Sequence, residues 1–187
     1  MIEYQHLLNK YDIKCDINML ESIWNESNRY YHNLEHLTDL FNQIDEVSKN
    51  EDYSEADIDT LKLSALFHDI VYDVNNNDNE VKSNEMFLSL CKDKNNPIIK
   101  EVSKIILETE THIPTSKLSE LFCSMDMDIL NRDFDSLLKW ENGIYEEYKS
   151  YETYKFGRIL FLNECLDKYP LNQGNLLKLI KYVGDNY

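Results

Sequence analysis

The chain has 187 residues, a formal charge of −16, 42% apolar residues and 12% aromatic residues, which is the length of one domain with enough apolar material for a core. That acidity argues against a long nucleic-acid backbone as partner, since such binding needs a basic surface; a small phosphorylated substrate stays open because a metal can supply positive charge locally. No apolar run approaches the roughly 20 residues of a membrane-spanning helix. The first six residues lack the basic start and apolar stretch of a secretory signal.

Apolar residues recur at three- and four-residue spacing, and strand-like alternation is nearly absent. The pattern predicts helices at roughly 2–10, 16–27, 33–48, 56–72, 80–93, 97–110, 116–123, 126–131, 134–152, 154–168 and 172–184. Ser54-Glu55-Ala56-Asp57 resembles a capping box ahead of the fourth of these. The Asn-rich segment 73–79 is the clearest loop, with no apolar anchors. Pro97 suits a first helical turn, and Pro170 ends the helix before the last.

All four glycines (Gly143, Gly157, Gly174, Gly184) lie late in the chain, so no early glycine-rich phosphate loop can form. The fold class is all-α, and neither an internal repeat nor a linker divides the chain. Cys15, Cys91, Cys123 and Cys165 are widely spaced and form no CxxC pair, which fits free thiols in a reducing cytoplasm.

Chemistry concentrates in a few places. His32 and His36 are four residues apart, hence on one face if a helix already runs there. His68 and Asp69 interrupt an apolar helical pattern. Alone, that dyad reads equally as a buried ion pair, since a buried carboxylate must find a partner. With His32 upstream and Asp126-Met127-Asp128 downstream it reads as a divalent-metal site of mixed nitrogen and oxygen donors, suited to manganese, iron, nickel, zinc or magnesium. Arginine is confined to Arg29, Arg132 and Arg158, and Arg29 or Arg158 is a natural phosphate clamp. The aromatic stretch around Arg158 includes Tyr145, which packs in core helices or lines a substrate site.

The segments RYYHNLEHL, FHDIVYD, NE with a serine three residues on, TETH and DMDIL resemble the HD superfamily of metal-dependent phosphohydrolases, over about residues 29–158. The resemblance implies one helical HD domain over residues 1–187. It makes His32 the first ligand, His68 and Asp69 the central pair, and Asp128 the last ligand, with Asp126 as the alternative or as a partner to a ligating histidine. One or two metal ions are implied, and His112 is a candidate because some HD enzymes use further histidines for a second metal. Asp69 would ligate the ion and orient water, with Asp73 or His36 assisting proton movement. Asp73 matches the second acid of an extended HD pattern, although Tyr72 stands where related nucleotide hydrolases carry glutamate. Glu80 is placed near the site on the same ground.

The expected activity is hydrolysis of a phosphate ester, a nucleotide or a related small metabolite. The rival readings are a di-iron oxygenase and a non-catalytic regulatory module. The expected partner is a small phosphorylated molecule, with no long nucleic acid and no membrane; a homodimer is compatible with this reading.

Overall fold

Five of the helices start where a side chain accepts from the first unpaired backbone N–H groups. In the computed structural model, which describes residues 4–187, Asp16 accepts from Asn18 N, Asn33 from Glu35 N, Asn96 from Ile98 N and Asp133 from Ser136 N. Ser54 and Asp57 form the reciprocal capping box expected from the sequence: the Ser54 hydroxyl accepts from Asp57 N at 3.2 Å, and the Asp57 carboxylate accepts from Ser54 N at 2.8 Å.

The described residues form ten α-helices: α1 (Gln5–Lys10), α2 (Ile17–Trp24), α3 (Leu34–Val47), α4 (Glu55–Phe67), α5 (Asn79–Leu90), α6 (Pro97–Glu108), α7 (Lys117–Asp126), α8 (Phe134–Tyr148), α9 (Tyr154–Lys168) and α10 (Gln173–Asn186). The helix expected at 2–10 begins at residues 2 and 3, which lie outside the described residues. Among the described residues there is no strand. One isolated antiparallel bridge, Ile13 with Cys91, ties the turn after α1 to the end of α5. All four cysteines are free thiols, three of them buried. The fold is all-α.

Backbone contacts divide the chain into two compact units, one ending at Met125 and one running from Asp126 to Tyr187. In the first, α4 is the central element. Its residues Leu61, Leu63, Ala65, Leu66 and Phe67 are fully buried, so apolar groups cover most of its circumference, the mark of a helix enclosed by others. It packs against α3 and α6, and α6 packs in turn against α5. In the second unit α10 lies against α8 and α9, over a core of Leu137, Leu162, Leu176, Leu179 and Val183.

Helix α4 stops at Phe67, five residues short of the helix expected at 56–72, although Ile70 and Val71 extend the apolar pattern. Side chains from elsewhere take over the backbone groups that a longer helix would pair internally. Trp24 Nε1 donates to Leu66 O at 3.0 Å, and Arg29 donates to Asp69 O at 2.8 Å and to Ile70 O at 3.1 Å. Val71 N donates to the Ser83 hydroxyl at 3.0 Å. His68 and Asp69 therefore sit at the C-terminal end of a helix rather than inside one.

Candidate metal centre

Two chain segments bring the polar groups together. Asn33 caps α3, so His36 occupies the first turn of that helix, and the end of α4 presents His68 and Asp69. The ring nitrogens His36 Nε2 and His68 Nε2 are 3.3 Å apart, and His68 Nε2 is 3.2 Å from Asp69 Oδ2. One donor atom from each of His36, His68 and Asp69 lies within 4.8 Å of the others; both histidines are buried and Asp69 is partly so.

His68 Nδ1 faces Ala65 O at 3.1 Å. A carbonyl can only accept, so that bond places the proton on Nδ1 and leaves the Nε2 lone pair directed at His36 and Asp69. A second partner that fixes the tautomer of a ligating histidine is a regular part of protein metal sites. Nitrogen donors sharing one ion at about 2.0–2.1 Å in a tetrahedral array stand about 3.3 Å apart, and the two observed separations match that spacing. Two imidazole nitrogens and a carboxylate oxygen thus fit a divalent cation in both chemistry and distance.

Aromatic rings enclose this group. Trp24 lies 5.6 Å from His68 and 6.4 Å from His36 between ring centroids, Phe122 lies edge-on to His68 at 5.5 Å, and Tyr31 is 5.0 Å from His36. His32 belongs to the turn before Asn33, so it and His36 do not share a helical face. Its ring is 6.1 Å from that of His36 and lies tilted against Tyr72 at 4.3 Å. The donor group therefore contains His36, which the motif resemblance left as a neighbour. Spacing alone could not have found this, although Asn33, a strong capping residue, marks where α3 begins.

Glu80 opens α5, half-buried. Burial raises its carboxyl above the ordinary glutamate range; the nearby carboxylates of Asp69 and Glu110 push the same way, while His68 opposes them. Glu110, which no sequence argument singled out, thus shares the electrostatic surroundings of the dyad. Asp73 is committed to its own loop. Its carboxylate accepts from Asn75 N at 2.9 Å, from Asn75 Nδ2 at 2.8 Å and from Asn76 Nδ2 at 2.7 Å, and Asn79 Oδ1 accepts from Asp73 N. The bonds from Asn75 hold the Asp73 carboxyl below the usual range. The Asn-rich loop thus supplies polar anchors of its own. His112 adopts a left-handed backbone (φ 51°) in the turn after α6, its N–H donating to Glu108 O at 2.8 Å.

Arg29 is buried, and its guanidinium donates to the carbonyls of His32, Asp69 and Ile70 and to the Glu26 carboxylate. The remaining candidates belong to the second unit. Asp126 closes α7, and Asp128 opens a 3-10 turn (Asp128–Asn131) with its carboxylate accepting from Arg132 Nε at 3.2 Å. Arg158 Nε donates to the fully buried Glu141 at 2.7 Å, with its guanidinium 4.1 Å from the Trp140 ring centre, and Tyr145 stacks on Tyr187 at 3.8 Å.

No helix among the described residues is long and apolar enough to cross a membrane. No curated protein and no solved structure matches the chain. The sequence model of the HD domain matches residues 29–135, more than half of the chain and a span that includes His36, His68 and Asp69. The chain therefore belongs to the HD domain family.

Proposed function

We propose that this protein is a phosphohydrolase that uses a divalent metal ion to cleave a phosphate ester in a small substrate, a nucleotide or a related metabolite. Membership of the HD family points to hydrolase chemistry dependent on a metal. The observation that carries the reading is the convergence of His36 Nε2, His68 Nε2 and Asp69 Oδ2.

His36, His68 and Asp69 would hold the ion, with His32 and Asp128 or Asp126 carried from the motif order as further ligands. A bound divalent ion lowers the pKa of a coordinated water and polarises a phosphoryl oxygen. The protein's own contribution is to keep the donor atoms in place. The Ala65 carbonyl holds the proton of His68 on Nδ1, and the buried rings of Trp24 and Phe122 exclude water from that face of the imidazole. Asp69 is the carboxylate best placed to orient a water molecule, because its Oδ2 already lies beside His68 Nε2. Glu80, half-buried near Asp69, is a candidate to face the substrate, and the bonds within the Asn-rich loop give Asp73 a structural part in shaping the approach.

The test is metal analysis of the purified protein, followed by a hydrolysis screen of nucleotides and small phosphomonoesters with added Mn²⁺. Stoichiometric divalent metal and turnover that disappears in His68→Ala are expected. Paired iron with redox-active absorption would replace this reading with the oxygenase, and a metal-loaded protein without turnover on any phosphate ester would replace it with a regulatory module.

A further inference from the structure

Arg29 looks like a phosphate clamp in the sequence, yet its surroundings in the fold are those of a brace. Its side chain is 1% exposed. Nη1 donates to His32 O at 3.2 Å and to Asp69 O at 2.8 Å, and Nη2 donates to Ile70 O at 3.1 Å. The guanidinium lies between the rings of Trp24 and Tyr72, at 5.5 Å and 5.4 Å. Its carboxylate partner, Glu26 at 3.3 Å, has a side chain that is 47% exposed.

The three carbonyls belong to two separate segments. Asp69 and Ile70 follow the C-terminal end of α4, where the helix dipole favours a cation; His32 lies in the turn that leads into α3. One planar fork therefore holds the segment carrying His68 and Asp69 at a fixed distance from the segment that leads to His36. A lysine ammonium could carry the charge, but as a compact group on a flexible stem it cannot reproduce the fixed directions of a guanidinium. Because the carbonyl of Asp69 itself is gripped, the direction of its carboxylate depends on this bond.

We propose that Arg29 is a positioning residue that sets the metal-ligand geometry by bridging the two ligand-bearing segments through their backbone carbonyls. The proposal rests on the metal-centre reading above, and the experiment separates the two. Wild-type protein is titrated with Co²⁺ and its visible absorption recorded. Absence of saturable binding there removes the metal centre itself, and this proposal with it.

With wild-type binding in hand, Arg29→Lys is measured the same way, its helix content checked by circular dichroism. Lowered Co²⁺ affinity, by about 10–100-fold as for other groups that orient metal ligands, and an altered band envelope are expected. Adding methylguanidinium to Arg29→Ala should restore part of the wild-type spectrum. A wild-type affinity and spectrum in Arg29→Lys, with only the KM for a phosphate ester raised, overturns the brace in favour of a clamp.

A measurement on unaltered protein covers the case in which the variants do not fold. The chain has three arginines, so nitrogen-15-labelled arginine gives few side-chain signals. Arg29 should show slow guanidinium rotation and shift when Zn²⁺ is added, with no further change on adding inorganic phosphate. A rapidly rotating Arg29 whose signal responds to phosphate and not to Zn²⁺ overturns the proposal.

Discussion

The two units bury polar clusters of different chemistry. In the second, Glu141 accepts from Arg158 Nε at 2.7 Å and from the Tyr154 hydroxyl at 2.5 Å, and the guanidinium lies over Trp140. Cation meets anion there, and burial raises the pKa of the Tyr154 hydroxyl. In the first unit two imidazole nitrogens and a carboxylate oxygen converge, three atoms that could each ligate a cation. Buried polarity as such is therefore no sign of function; what separates the two clusters is that, among the described residues, only the first gathers three side chains with metal-donor spacing.

The largest expected effect lies in the first unit's cluster. Asp69→Ala and His36→Ala should each abolish saturable Co²⁺ binding, read from quenching of Trp24, whose ring is 5.6 Å from His68; Trp140→Phe leaves Trp24 as the single tryptophan. Glu141→Gln should do the reverse, lowering unfolding free energy by about 3–5 kcal/mol through an uncompensated buried charge while metal affinity holds. Metal loss in Glu141→Gln with unchanged stability would break the contrast.

A smaller effect concerns the alternatives for each ligand. His32→Ala should lower Co²⁺ affinity by more than the roughly 10–100-fold typical of a group that only supports a ligand. If His32→Ala loses the metal and His36→Ala keeps it, the motif order was the better guide. Asp128→Ala and Asp126→Ala divide in the same way, and the one that loses the ion is the ligand.

The sequence made the helices readable where local chemistry decides them. Ser54 with Asp57, Pro97 and Pro170 act within a few residues of themselves, and each marks a boundary that the structure keeps. The end of α4 was hidden because Arg29, Trp24 and Ser83 satisfy its last backbone groups from up to 42 residues away, and apolar periodicity carries no trace of them. The place of His36 beside His68 was hidden for a related reason: four-residue spacing describes a shared face only if both residues are helical, and Asn33 starts α3 between the two.

The smallest expected effect is a pH response of the Asn-rich loop. Asp73 titrates lower in the fold than in the unfolded chain, held down first by the Asn75 backbone bond. Its contribution is therefore present above the unfolded value of about 4 and is lost as pH falls through the lower folded value. Amide exchange at Asn75 should accelerate below about pH 4 in wild type and show no such acid step in Asp73→Asn. An equal acid step in both would remove Asp73 as the loop's anchor.

The enclosure of α4 has a consequence for how long the molecule survives. A helix covered on most sides does not fray independently of the core, so its amides should be among the slowest to exchange with solvent. His68 and Asp69 hang on the end of that helix, so an ion held by them grips the part of the fold that opens last. Saturation at 100 times the dissociation constant adds about 2.7 kcal/mol against unfolding, enough to lower the unfolded population about a hundredfold. Degradation that captures the unfolded chain would then slow in step with the supply of divalent ion, and the protein's abundance would rise and fall with any ion that binds there.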